Sequence, residues 1–395
     1  MFDLLLKNAQ VVDPLNGIND VCDVAVENGL IAAVGPDLGS SAREVINFTG
    51  LVLQPGIIDS HVHLGTMWGS PFGPKMLAMN GVTTCLDMAG PLDDILDNVP
   101  QYGAGINMAI LQFASPPFTF KSTTPSKHEM ETLIDVSLEQ GALGVKLLGG
   151  HYPLTPAVSS ELIKTALERR AYVAWHAGTT EHGSNIEGMI EAVEMAGGYP
   201  LHLAHINAYC RGRVNPVDEE SKEAIEMLRA NPNLWCEAYV SPNNGTVLDC
   251  DEDGQIIDHV TRTCLETFGL TPDAAGMREA FLTHRCFAIA DTGFMSELVE
   301  GEAALELWEK QGMKGAGSFP VNPALSRFMV ATAKREDGSF VVDAISTDGG
   351  CIPRNVAISV GLSLVKFGAL TLPEFVVKTS VNPARHLRLH DRGHL

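Results

Sequence analysis

The chain reads as an α/β protein: a (β/α)8 barrel over residues 54–385 behind a small all-β unit over residues 1–53. Two observations predict this. Apolar runs of β type recur at 53–60, 82–88, 107–113, 143–148, 171–176, 201–206, 234–240 and 341–347, with amphipathic helical stretches between most of them. A His or Asp lies at or near the end of several of these runs, and in a closed barrel the functional groups sit at the C-terminal strand ends.

The elements follow in order. Residues 2–53 hold short strands around Leu4-Leu5-Leu6, 21–26, 31–34 and 44–46, separated by turns such as Glu27-Asn28-Gly29 and Thr49-Gly50. From residue 54 strands and helices alternate, with helical periodicity clearest at 127–140, 160–170, 186–196 and 219–230. One connection breaks the rhythm. Residues 241–340 separate strands seven and eight, far beyond an ordinary βα loop, and carry helical patterns of their own at 260–268 and 303–310. That stretch is expected to be a lid or substrate-binding insertion over the barrel mouth. A short tail, 386–395, spaces His386, His390 and His394 four apart, as surface histidines that could share a helix face.

Composition narrows the function. With 45% hydrophobic residues in 395, the chain can bury a large core. Lys+Arg 27 against Asp+Glu 48 gives a net charge of −21, which argues against nucleic acid or an anionic membrane as partner. A small molecule is the expected partner. The N-terminus lacks a secretory pattern and no apolar run approaches a membrane span. Eight scattered cysteines without a Cys-x-x-Cys pair fit a reduced, cytoplasmic setting, with Cys85, Cys236 and Cys286 in apolar runs as core residues.

The ligand-type residues are the sharpest signal. Strand one ends Pro55-Gly56-Ile57-Ile58-Asp59-Ser60-His61-Val62-His63, and residues two apart on a strand face one side, so two imidazoles converge. Lys146, inside Gly144-Val145-Lys146-Leu147-Leu148, must find a partner or lose its charge. A neutral lysine amine can add carbon dioxide and become a carbamate that bridges two metals; the plainer reading is a lysine paired with a carboxylate. His176 closes Tyr172-Val173-Ala174-Trp175-His176, His205 closes 201–205, and Asp348 closes 343–348 before Gly349-Gly350. His202, three residues before His205, should face the opposite side and be structural. Six such residues at the exits of strands one, four, five, six and eight indicate a metal site.

On Pro55-to-His63, Gly81-Val82-Thr83-Thr84 and Ser346-Thr347-Asp348 the chain resembles the amidohydrolase superfamily, from the N-terminal strands to Asn382-Pro383-Ala384. The resemblance implies two divalent ions: His61, His63 and Asp348 hold one, His176 and His205 the other, and a carboxylated Lys146 bridges them. Zinc suits such donors, and manganese, iron and cobalt bind them too. The implied reaction is metal-activated hydrolysis of a C–N amide bond, Asp348 taking the proton of the attacking water and returning it to the leaving nitrogen. Relatives complete a small β-sandwich-like domain with C-terminal strands, a half missing after 386–395 here. An open sheet edge invites pairing, so a homo-oligomer is expected.

Two branches compete for the substrate. Residues 137–144, Tyr152-Pro153, Ala204-His205-Ile206-Asn207 and Glu237-Ala238-Tyr239 are similar to N-acyl-D-amino-acid deacylases. Yet Asp87-Met88-Ala89-Gly90 lacks their cysteine, Lys146 is present, and Ala177 stands where they often have arginine. Those departures, with 81–88, resemble the dihydroorotases and hydantoinases, which cut cyclic amides. The linear N-acyl amino acid is preferred and the cyclic amide is the alternative. A substrate carboxylate would need a cationic clamp, for which Arg211, Arg213, Arg285 and Arg354 are candidates. His151, Asn207 and Tyr239 are candidate pocket residues. A non-catalytic scaffold is a third reading, disfavoured because all six ligands are kept. A mononuclear nucleobase deaminase is disfavoured by Lys146 and by the missing strand-five His–Glu arrangement.

Overall fold

A computed structural model describes residues 1–116 and 118–395. Its centre is a curled, all-parallel sheet whose strands pair in chain order: Ile57–His63, Val82–Ala89, Asn107–Ala114, Gly144–Leu148, Tyr172–His176, Leu201–Leu203, Leu234–Tyr239 and Ala344–Ser346. The last of these pairs with Leu234–Tyr239, and its continuation Gly349–Gly350 pairs with Ile57–His63. The Asp348 amide donates to the His61 carbonyl between them at 2.9 Å, so the sheet returns on itself through strand eight.

Helices Gly73–Met79, Leu92–Tyr102, Lys127–Glu139, Pro156–Glu168, Ile186–Ala196, Val217–Ala230, Ala324–Thr332 and Ala357–Lys366 follow the strands. Their apolar stripes pack on the outer face of the sheet, where Ile134, Leu162, Met189, Ala224 and Val330 are fully buried. The connection after strand seven divides in two. Asn244–Val247, Phe287–Asp291, Ser296–Val299 and Ala316–Phe319 form an antiparallel sheet of their own, flanked by His259–Thr267, Ala274–Leu282 and Gly301–Lys310. Leu248, Leu265, Phe281, Trp308 and Phe319 are its buried core. Ala324–Thr332, by contrast, packs on Val217–Ala230 and strand seven, where Val330 and Ala331 join the barrel core, so it is the seventh barrel helix.

The N-terminal residues form one five-stranded sheet in the order 30–35, 18–27, 2–13, 42–47, with 52–53 beside 2–13. Leu5, Ala9, Val11 and Val24 lie in its buried face, and Val12 reaches Ile57 and Phe375 of the barrel. Among the described residues no second sheet faces it. The tail also differs from its periodicity. The helix Asn382–His386 ends at His386, which is not a free surface group: its Nε2 lies 2.7 Å from the Tyr172 hydroxyl and its ring packs edge-on against Trp235. His390 is exposed.

Candidate metal centre

Strand register aims the site. Phe113, Lys146, Ala174, His202 and Trp235 are opposed across successive parallel pairs. They therefore share a face, and with a period of two so do His176 and Glu237. That face is the barrel interior, where Lys146 and Glu237 have no exposed surface. His202 is among these inward residues, against the expectation that it opposes His205. The reason is local: strand six stops at Leu203, and His205, at φ 34° and ψ 64°, turns its ring back inward. Asp348 has φ 52°, also left-handed. Such backbone costs on the order of 1–3 kcal/mol in a non-glycine residue and concentrates at functional sites.

His61, His63 and Asp348 offer donor atoms that all lie within 4.8 Å of one another. Asp348 Oδ1 is 2.8 Å from His63 Nε2 and 3.3 Å from His61 Nε2. His176 Nδ1 and His205 Nε2 are 3.1 Å apart. Two ligands of one tetrahedral ion at about 2.1 Å sit roughly 3.4 Å apart, near these separations, which are also those of hydrogen bonds. Burial pushes the His63 pKa down to about 3 and those of His176 and His205 well below the usual value. The rings are neutral, as ligands must be. His63 Nδ1 and His205 Nδ1 are buried without a hydrogen-bond partner.

Glu237 orients the first histidine. Its Oε1 lies 2.7 Å from His61 Nδ1 and accepts from the His205 amide at 2.7 Å, while Ser346 donates to Oε2 at 2.5 Å. Burial alone would raise its pKa, but His61 and His202 hold it well below the carboxylate range. The anion fixes the proton of His61 on Nδ1 and leaves Nε2 free, the carboxylate–histidine arrangement of metal sites. The donor set thus fits a divalent metal at the His61, His63 and Asp348 position, and His176 and His205 add two further imidazole donors beside it.

Lys146 Nζ lies 2.9 Å from His61 Nε2 and 3.3 Å from the Met88 carbonyl. Burial lowers its pKa to about 8, against the pull of Asp348 and Glu237. About a tenth of the amine is then uncharged at pH 7, far more than for an ordinary lysine. Close behind, a Cβ on Gly150 would stand 2.1 Å from His176 Nε2, so only glycine lets that ring in.

The clamp candidates separate. Arg354 is buried and pairs with Asp348: its NH2 is 2.8 Å from Oδ2, its Nε donates to the Asp348 carbonyl, and NH1 donates to the Asn243 carbonyl at 3.0 Å. Burial would raise the Asp348 pKa; Arg354, His61 and His63 hold it far down. Arg211 donates to Tyr239, Asn244 and Asn322, so Tyr239 carries a guanidinium on its hydroxyl and Arg354 5.1 Å above its ring. Asn207 accepts from the Tyr239 amide and braces strand seven. Arg285 lies elsewhere: it stacks on Phe268 and donates to its carbonyl within the insertion. His151 stands at the mouth with Nδ1 3.2 Å from Asp258 of the insertion.

A cleft of about 20 Å³, room for one water, lies between His63, Lys146, His176, His205, Asp348 and Arg354. A second small cleft beside it is lined by His151, His176, Ser184, Arg211, Arg213 and, from the insertion, His259. Sequence reasoning passed over Glu237, Asp59 and Asp87 as site residues. Asp59 accepts from the Thr347 amide and hydroxyl, and Asp87 from the Leu64, Ala89 and Gly90 amides. Burial raises these two to about 7 and about 6. The available signal was an acid inside an apolar strand.

No protein-family model matches the chain. Among curated proteins it is 45% identical over 92 residues to the allantoinase of Rubrobacter xylanophilus, covering 22% of this chain and 20% of that one. It is 30% identical over 199 residues to the dihydroorotase of Streptococcus pneumoniae serotype 4, covering 47% and 44%. The chain thus spans less than half the length of these curated relatives. Among solved structures, the N-acyl-D-glutamate deacylase of Bordetella bronchiseptica, complexed with zinc and a phosphonate inhibitor, aligns with a TM-score of 0.68 at 16% identity, over 100% of this chain and 87% of that one. The chain shares its fold with this deacylase and, over part of its length, resembles allantoinase and dihydroorotase in sequence.

Proposed function

We propose that the protein is a metal-dependent hydrolase of a C–N amide bond, with His61, His63 and Asp348 around one ion and His176 and His205 around a second. The convergence of His61, His63 and Asp348 within 4.8 Å carries the reading. Bound divalent ions would acidify a water and polarise the substrate carbonyl. Lys146, uncharged and carboxylated by carbon dioxide, would bridge the two positions, and zinc matches the imidazole-rich donors. The residues supply the rest. Glu237 holds His61 in one tautomer. Asp348 can take a proton at Oδ1, and with Arg354 on Oδ2 it gives that proton up readily to a leaving nitrogen. The insertion and His151 narrow the entrance and restrict water.

The substrate we favour is an N-acyl amino acid, because Arg213 and His259 line the adjoining cleft and suit a carboxylate. A cyclic amide is the second reading, favoured by the allantoinase and dihydroorotase similarities. Metal-loaded protein assayed with N-acyl-D- and N-acyl-L-amino acids, hydantoin, dihydroorotate and allantoin separates them. Turnover of the acyl amino acids, weakened in KM by Arg213→Ala, supports the first. Turnover of the cyclic substrates alone supports the second.

A further inference from the structure

At the opposite end of the barrel, below the N-terminal strand ends, a cavity of about 540 Å³ lies among Tyr172, Leu201, His202, His386, Arg170 and Arg388. Its size is that of a small-molecule site, and Leu143, Leu167 and Val173 give it apolar walls. Its polar floor is already assembled. The Tyr172 hydroxyl joins His386 Nε2 at 2.7 Å to His202 Nδ1 at 2.8 Å, and His202 is 1% exposed.

The two arginines share two features. Nearby Arg169 pairs with Asp135 and Arg392 with Asp391, whereas the Arg170 and Arg388 guanidiniums make no hydrogen bond or ion pair with a described residue, in a chain of net charge −21. Each also stands just past the last turn of a helix in left-handed backbone, Arg170 at φ 59° after Pro156–Glu168 and Arg388 at φ 56° after Asn382–His386. Glycine is the favoured residue there, and Gly81, Gly141, Gly269, Gly312 and Gly368 fill the corresponding place after five other helices. At these two ends a strained arginine stands instead, and both border one cavity.

We infer that this cavity is a second ligand site, separate from the metal centre, for a small organic anion with an apolar body. The guanidiniums would grip its carboxylate, sulfonate or phosphate, and the leucine walls would cover its hydrocarbon part. The site needs no metal and does not depend on the reaction proposed above.

Fluorescence titration of the full chain with 8-anilinonaphthalene-1-sulfonate tests it, alongside its uncharged counterpart N-phenyl-1-naphthylamine. Saturable binding of the sulfonate at one site per chain is expected, weakened roughly tenfold or more in Arg170→Gln/Arg388→Gln, with the neutral probe unaffected by the substitutions. Both arginines are exposed, so the variant should fold, and an unchanged circular dichroism melt checks this. Arg170→Lys/Arg388→Lys should recover part of the affinity, since charge returns without the planar fork. Absent binding, or binding equally strong in the glutamine variant, overturns the inference.

Discussion

Glu237 sets how His61 is presented, and its loss should be felt at the metal before it is felt in the fold. Glu237→Gln keeps the volume but removes the anion 2.7 Å from His61 Nδ1. Metal affinity should drop roughly tenfold to hundredfold, as for other partners that orient a ligand, read by competition with a chromophoric chelator. Gly150→Ala should act on the other position, because the new methyl would displace the His176 ring. Metal content should fall toward one ion per chain while strands one and eight keep theirs. The metal-type residues stood out in the sequence because each lies in or just past an apolar strand, toward its C-terminal end. Glu237 was hidden in Trp235-Cys236-Glu237-Ala238, since nothing local says whether a lone acid in an apolar strand faces a partner or marks a misread strand. Arg354 and Arg285 were alike in sequence, and only packing separates the arginine on Asp348 from the one on Phe268.

The insertion meets the barrel mouth through an apolar cluster of Trp68, Ile289, Cys351 and Ile352 and through a few polar contacts. Asp258 caps His259–Thr267 through the Thr261 amide, accepts from Thr246, and meets His151 across the entrance. Burial would raise its pKa, yet His151 and these hydrogen bonds hold it near about 2 against an ordinary 3.8. The folded carboxyl thus binds its proton more weakly than the unfolded one. Its contribution is complete above about pH 4 and is lost as pH falls through about 2. Asp258→Asn should destabilise this unit by about 2–3 kcal/mol. Hydrogen exchange should report it as faster opening of residues 244–319 with the barrel strands still protected. Uniform loss of protection across the barrel would show that the unit does not open by itself. The sequence located the long connection but merged Ala324–Thr332 into it, because periodicity identifies a helix and not the surface it packs on.

For the whole molecule, alternation of apolar strands with amphipathic helices was enough to predict a parallel barrel-like sheet and the end at which its chemistry gathers. What stayed illegible were departures from regular geometry. The left-handed turn at His205 brings in a side chain that strict strand alternation would send outward, while His202 stays inside by its own register. Among the described residues no helix is long and apolar enough to cross a membrane. The central claim is a bridged pair of metal ions, and the most direct test is the metal content of protein purified without added metal, beside Lys146→Ala. About two ions per chain, falling sharply in the variant, is the predicted result. One ion or none, unchanged by the substitution, would contradict the bridged centre.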